Sequence, residues 1–142
     1  MGTITEKLLC ELVETKDIDG FFRVHENEFI NQTPKDFLED ILKIKGKTIA
    51  QVVKSSGAGD YVYKVFSGSR KPSRNILLSI GFALEMTVEE VQLLLRISKQ
   101  ATLDSRDKRD GIIIYGYANK LSIFEVDDLL YKNHLVTLAK DN

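Results

Sequence analysis

Cysteine is nearly absent from this chain: Cys10 is the single thiol in 142 residues. One thiol closes no disulfide framework and assembles no thiolate zinc cluster. Cys10 falls within an apolar helical stripe, so we expect a buried small hydrophobe there rather than a redox group. Long apolar runs are missing too. Nothing approaches the ~20 residues of a membrane span, and the first residues lack the basic-then-apolar order of a secretory signal. These absences fit a reducing cytoplasm and no membrane. Histidine is scarce: His25 and His134 lie far apart, in segments without metal-ligand spacing. The neighbouring acids Glu89-Glu90 and Asp127-Asp128 point in different directions on a helix, which disqualifies them as catalytic pairs. Gly57, Gly59 and Gly68 follow no strand and so make no nucleotide loop. We therefore expect no catalysis, no cofactor and no metal, and no small-molecule ligand is evident.

What is present is an ordinary globular balance, with 29% charged and 43% apolar residues. The length suits one compact domain, or a core module with a helical extension. The net charge of −1 hides a strong asymmetry. Residues 1–42 sum to −6, residues 43–74 to +7 and residues 75–142 to −2. Eight cations (Lys43, Lys45, Lys47, Lys54, Lys64, Arg70, Lys71 and Arg74) face only Asp60 within the central window. A local excess of this kind steers a surface toward polyanions whatever the whole-chain sum.

Apolar positions recur at helical spacing almost throughout, and only two prolines interrupt them. Residues 3–15 place Ile4, Leu8, Leu9, Leu12 and Val13 on one stripe, either a dimer face or a cover for the bundle. Residues 19–30 read as a second, shorter helix carrying Phe21, Phe22 and Phe29. Thr33-Pro34-Lys35-Asp36 is a helix start, with a hydroxyl cap, a first-turn proline and an early carboxylate. That helix turns Phe37, Leu38, Ile41 and Leu42 inward and stops near Gly46. Thr48 and Gln51 form a capping box opening a short helix that ends around Lys54. Residues 55–59 read as a tight glycine-containing turn. A second short helix runs from Asp60 to Phe66 with Val62, Val65 and Phe66 inward. A polar basic loop, 67–73, precedes a further helix beginning at Ser73 or Arg74.

The C-terminal half repeats itself. Residues 74–103 align without gaps on 109–138, with nine of thirty positions identical, including Arg74/Arg109, Gly81/Gly116 and Leu94-Leu95/Leu129-Leu130. Both copies carry a capping box, Thr87 with Glu90 and Ser122 with Glu125. Each copy should fold as helix, turn, capped helix, and neither hairpin can bury its apolar face alone, so the copies should stack. The organisation expected is a helical segment at 1–32, a helix-turn-helix module at 33–103 and a hairpin at 104–142 repeating 74–103.

Two short helices joined by a glycine turn make a helix-turn-helix. Such a module presents the start and outer face of its second helix to bases, while polar and basic groups at helix starts and loops hold phosphates. With Val62, Val65 and Phe66 inward, the base-reading candidates are Asp60, Tyr61 and Lys64. The phosphate candidates are Thr48, Gln51 and Lys54 on the first short helix and Ser69, Arg70, Lys71, Ser73 and Arg74 around the basic loop. Arg70-Lys71-Pro72-Ser73 also resembles a basic-directed kinase site, where a phosphate would oppose DNA.

From Thr48 to Leu95, and most specifically in the string Tyr61-Val62-Tyr63-Lys64-Val65-Phe66-Ser67-Gly68-Ser69-Arg70-Lys71-Pro72-Ser73-Arg74, the chain resembles the phage-repressor-like helix-turn-helix regulators called the XRE family. The C-terminal hairpin resembles an extension found in one subgroup. The resemblance covers about a third of the chain. It implies an all-α, five-helix phage-repressor-like bundle, flanked here by N-terminal amphipathic helices and the duplicated hairpin. The implied function is a bacterial-type transcription regulator binding double-stranded DNA in the major groove; one module reads only a half-site, so a homodimer through the N-terminal stripe would help. Gly59-Asp60 stands where such recognition helices more often offer Ser, Gln, Asn, Lys or Arg. The rival reading is a non-catalytic protein-interaction module, adaptor or antitoxin-like, using the same fold.

Overall fold

The computed structural model of the chain describes residues 4–26, 32–69 and 71–139. Among these it is all-helical, with nine helices and no strand. It divides into two compact units, residues 1–31 and 32–142.

The first unit holds α1 (Ile4–Glu14) and α2 (Ile18–Val24). Asp17 caps α2 by accepting from the Gly20 N–H, so Gly20 lies inside the first turn rather than before it. The far end of the expected second helix, with Phe29, lies outside the described residues. His25 closes α2 and meets Glu11 of α1 at 2.6 Å, with its ring 4.6 Å from that of buried Phe21. The expectation for Cys10 is overturned: it is exposed. Leu9 and Val13 are exposed with it, at 61% and 77%. Apolar periodicity alone therefore did not guarantee burial.

The second unit runs through α3 (Pro34–Lys45), α4 (Ile49–Ser56), α5 (Tyr61–Ser67), α6 (Arg74–Ala83), α7 (Val88–Ile97), α8 (Lys108–Ala118) and α9 (Ile123–Lys132). Its starts follow the capping chemistry of the sequence. Thr33 accepts from the Asp36 N–H with Pro34 in the first turn, and Gly46 ends α3 in the left-handed region. The reciprocal Thr48–Gln51 box opens α4. That helix runs two residues past Lys54, because Gly57, at φ 71°, is the first position to leave the helical region. Buried Ser56 accepts the Ala58 N–H and seals the corner.

One core serves the whole unit, drawing Phe37, Leu38 and Ile41 from α3, Val62, Val65 and Phe66 from α5, and Leu77, Leu78 and Phe82 from α6. Ile113, Val126 and Leu130 of the last two helices belong to the same core. Each such side chain fully removed from water contributes about 1.5–3 kcal/mol.

The duplication persists in atomic detail. Arg74 Nε donates to the Ala101 carbonyl at 2.8 Å, and Arg109 Nε donates to that of Val136, thirty-five residues on, at 2.8 Å. Gln92 binds the Leu103 backbone and Asp127 accepts from the Leu138 N–H. Among the described residues, the non-glycine positions at positive φ fall in two equivalent pairs, Glu85 with Lys120 and Lys99 with His134. The copies pack reciprocally. Arg74 reaches Asp110 while Arg109 reaches Asn75, and Gly81 lies against Tyr117 while Gly116 lies against Phe82. Phe82 and Tyr117 themselves stack at 3.8 Å with planes 6° apart. In these pairs a contact from the first copy has its counterpart from the second, the property of a two-fold rather than a translational relation. A Cβ at Gly81 would come within 2.5 Å of the Tyr117 Oη, and one at Gly116 would press on Val126 and the Phe82 ring. Glycine is required twice for one geometric reason.

Candidate nucleic-acid interface

The helix-turn-helix candidate is the α4–α5 pair, joined by residues 57–60. Gly57 and Gly59 both hold positive φ, 71° and 63°, which bends the chain within four residues. Val62, Val65 and Phe66 of α5 are buried at 0%, 3% and 4%, which fixes the rotation of that short helix. Asp60, Tyr61 and Lys64 are then all exposed. Asp60 occupies the cap position of α5 without a side-chain capping bond, leaving its carboxylate at the helix start. Lys64 places its ammonium 5.3 Å from the centre of the Tyr61 ring, a cation–π pair at the surface. Tyr63, also exposed, was not among the residues singled out from the sequence. Its signal was present: it lies outside the i, i+3, i+4 set formed by the three buried side chains.

The phosphate candidates divide into three groups. Thr48, Gln51 and Lys54 lie exposed on α4 or its cap. Gln51 Oε1 accepts from the Thr48 N–H at 2.8 Å, which leaves its amide hydrogens without a protein partner among the described residues. Ser69, Lys71 and Ser73 are exposed in the α5–α6 connection. Ser69 is tied back to α5 through its N–H on the Lys64 carbonyl at 3.1 Å, and Ser73 caps α6 on the Ile76 N–H. Arg70 lies outside the described residues.

Arg74 requires a correction. Its guanidinium makes a two-pronged bond to Asp110 at 2.9 and 3.1 Å and also donates to the carbonyls of Ala101 and Thr102. Asp110 is buried, so this is an internal pair joining the two repeats. Spacing brought Arg74 near the basic loop, but an acceptor thirty-six residues away takes its charge. Lys45 pairs with Glu90 at 3.2 Å and Lys47 with Glu85 at 3.1 Å. Three of the eight central cations are therefore answered by acids from the C-terminal half. Lys43, Lys54, Lys64 and Lys71 are exposed and have no ion pair among the described residues.

The C-terminal segment touches the turn at Gly57. A Cβ on Gly57 would come within 2.7 Å of the Ala139 Cβ and 3.9 Å of the Phe124 ring. The segment holding Ala139 is anchored by the Asp127 carboxylate, which accepts from the N–H groups of Leu138 at 2.6 Å and Ala139 at 2.8 Å. The second repeat thus braces the corner between the two short helices. Among the described residues no His, Cys, Asp and Glu group has the arrangement of a metal site, and no helix is long and apolar enough to cross a membrane. The chain matches no protein-family model, no curated protein and no solved structure.

Proposed function

We propose that the second unit is a DNA-binding helix-turn-helix module of a transcription regulator, resembling the XRE family, with α3 to α7 as its five helices. The observation that carries this reading is the rotation of α5. Its apolar side is sealed in the core, and Asp60, Tyr61, Tyr63 and Lys64 lie outward, with Ser69 and Lys71 exposed in the connection that follows. In the proposed complex α5 enters the major groove. Lys64 donates to guanine O6 or N7, and Asp60 accepts from a cytosine amino group. The start of α4, through Thr48 and Gln51, together with Lys54 and Lys71, binds phosphates on either side. Arg74 takes no part; it holds the scaffold.

Exposed Leu9, Leu12 and Val13 on α1 support a dimer through the first unit, and two modules would read two half-sites. The decisive experiment is selection of bound fragments from random duplex DNA at two salt concentrations. Enrichment of a half-repeated motif, with affinity falling steeply as salt rises, is the expected result. Lys71→Ala should weaken binding on all sequences alike and reduce the salt slope by about 1. Lys64→Ala should instead change the preferred sequence.

The exposed tyrosines favour a second reading. Tyr61 and Tyr63 beside a lysine have the make-up of a protein-binding surface. On that reading the module docks an acidic protein as a non-catalytic adaptor or antitoxin-like partner, and bulk duplex DNA produces no salt-dependent shift.

A further inference from the structure

A groove of about 630 Å³ opens beside the α5–α6 loop, sharing only Lys71 with the residues that the DNA reading uses. Its walls are apolar where Pro34, Val65, Pro72 and Ile97 meet. Three ammonium groups belong to its lining residues Lys35, Lys71 and Lys99, and no acidic residue is among the described lining. Lys71 and Lys99 are exposed and have no ion pair among the described residues, whereas Lys35 touches Glu39 of its own helix at 3.1 Å. The twelve-residue helix α3 starts at the same place, adding the partial positive charge of its first turn. One lining residue departs from ordinary packing. Ser98 is 5% exposed, and its Oγ is buried without a hydrogen-bond partner, a state that costs free energy unless something else satisfies it.

Apolar walls, a cationic rim, an unanswered hydroxyl and this volume describe a small-molecule site. We propose that the groove binds a small amphipathic organic anion, a carboxylate on an aliphatic or aromatic body. The body lies against Pro34, Val65, Pro72 and Ile97, and the carboxylate lies among Lys35, Lys71 and Lys99. The expectation of no ligand came from a sequence in which these residues are spread over sixty-six positions. Because Lys71 also belongs to the proposed phosphate-binding loop, an occupied groove takes one cation away from DNA.

The test needs no DNA, so its failure would be separate from failure of the DNA reading. Decanoate is titrated into the full chain by calorimetry, with decanol as the uncharged control of equal length. Saturable one-to-one binding of decanoate at least tenfold tighter than decanol, weakening as salt rises, is expected. Lys35→Ala with Lys99→Ala, both rim positions, should cost a further tenfold in decanoate affinity while leaving decanol unchanged. Ser67→Trp, which fills the groove from its edge, should abolish binding of both, with circular dichroism reporting that each variant stays folded. Equal affinity for decanoate and decanol, multiple non-saturating sites, or decanoate binding indifferent to all three substitutions would overturn the assignment. So would a sedimentation shift showing that the lysine substitutions alter self-association instead, which would make the groove an interface between copies.

Discussion

Asp110 does several jobs with one carboxylate. It accepts both prongs of Arg74 and the Asp104 N–H at 3.0 Å, and its own N–H is held by Asp107. Removing it strands a guanidinium whose side chain is only 22% exposed. Losing one partner of a largely buried pair is far costlier than the pair's net worth, because the other charge stays desolvated. We expect Asp110→Ala to cost about 2–4 kcal/mol in urea unfolding. Arg74→Ala should likewise act on stability and leave any salt slope for DNA unchanged, which would separate it from Lys71→Ala. Tyr117 shows the same economy. Its hydroxyl donates to the Leu78 carbonyl at 2.5 Å, and burial pushes its pKa well above the usual tyrosine value, so it stays a neutral donor.

The α4–α5 corner offers a comparison between two glycines that share a conformation but not an environment. Gly59, at φ 63°, has open space where a Cβ would go, whereas Gly57, at φ 71°, has Ala139. Gly59→Ala should cost about 1 kcal/mol, the left-handed penalty alone. Gly57→Ala should cost about 1–2 kcal/mol more, as overpacking against the tail adds to it. Ala139→Gly introduced with Gly57→Ala should recover that excess in a double-mutant cycle of thermal unfolding, since the two positions touch. Simple additivity would mean that the tail does not bear on the turn.

At the scale of the whole unit, Lys45–Glu90 joins the end of α3 to the start of α7, and Lys47–Glu85 joins the α3–α4 connection to the α6–α7 turn. Burial pushes the Glu90 carboxyl upward. The Thr87 hydrogen bonds and Lys45 outweigh it, and the net shift is below the ordinary value of 4.5. A carboxylate lowered by folding stabilises the native state above its unfolded value, and that contribution disappears as pH falls through the folded value. The urea midpoint of the native chain should therefore exceed that of Glu90→Gln at pH 7, and the gap should close as pH falls through the lowered folded value. A gap constant with pH would show that packing, not charge, sets the difference. The pairs also bear on function, since they use central cations that a linear charge count assigns to polyanion binding.

Local chemistry determined what sequence reading could reach. Hydroxyl caps at Thr33, Thr48, Ser73, Thr87 and Ser122 act within three or four residues, and helical periodicity acts within two turns, so helix starts, the rotation of α5 and the repeat were all legible. Interactions across the chain were not. Whether Cys10 is covered, where Arg74 spends its charge, that Ala139 rests on Gly57, and that Lys35, Lys71 and Lys99 rim one groove depend on how helices pack. A side chain's own neighbours in sequence carry no record of which distant acceptor or apolar wall will meet it.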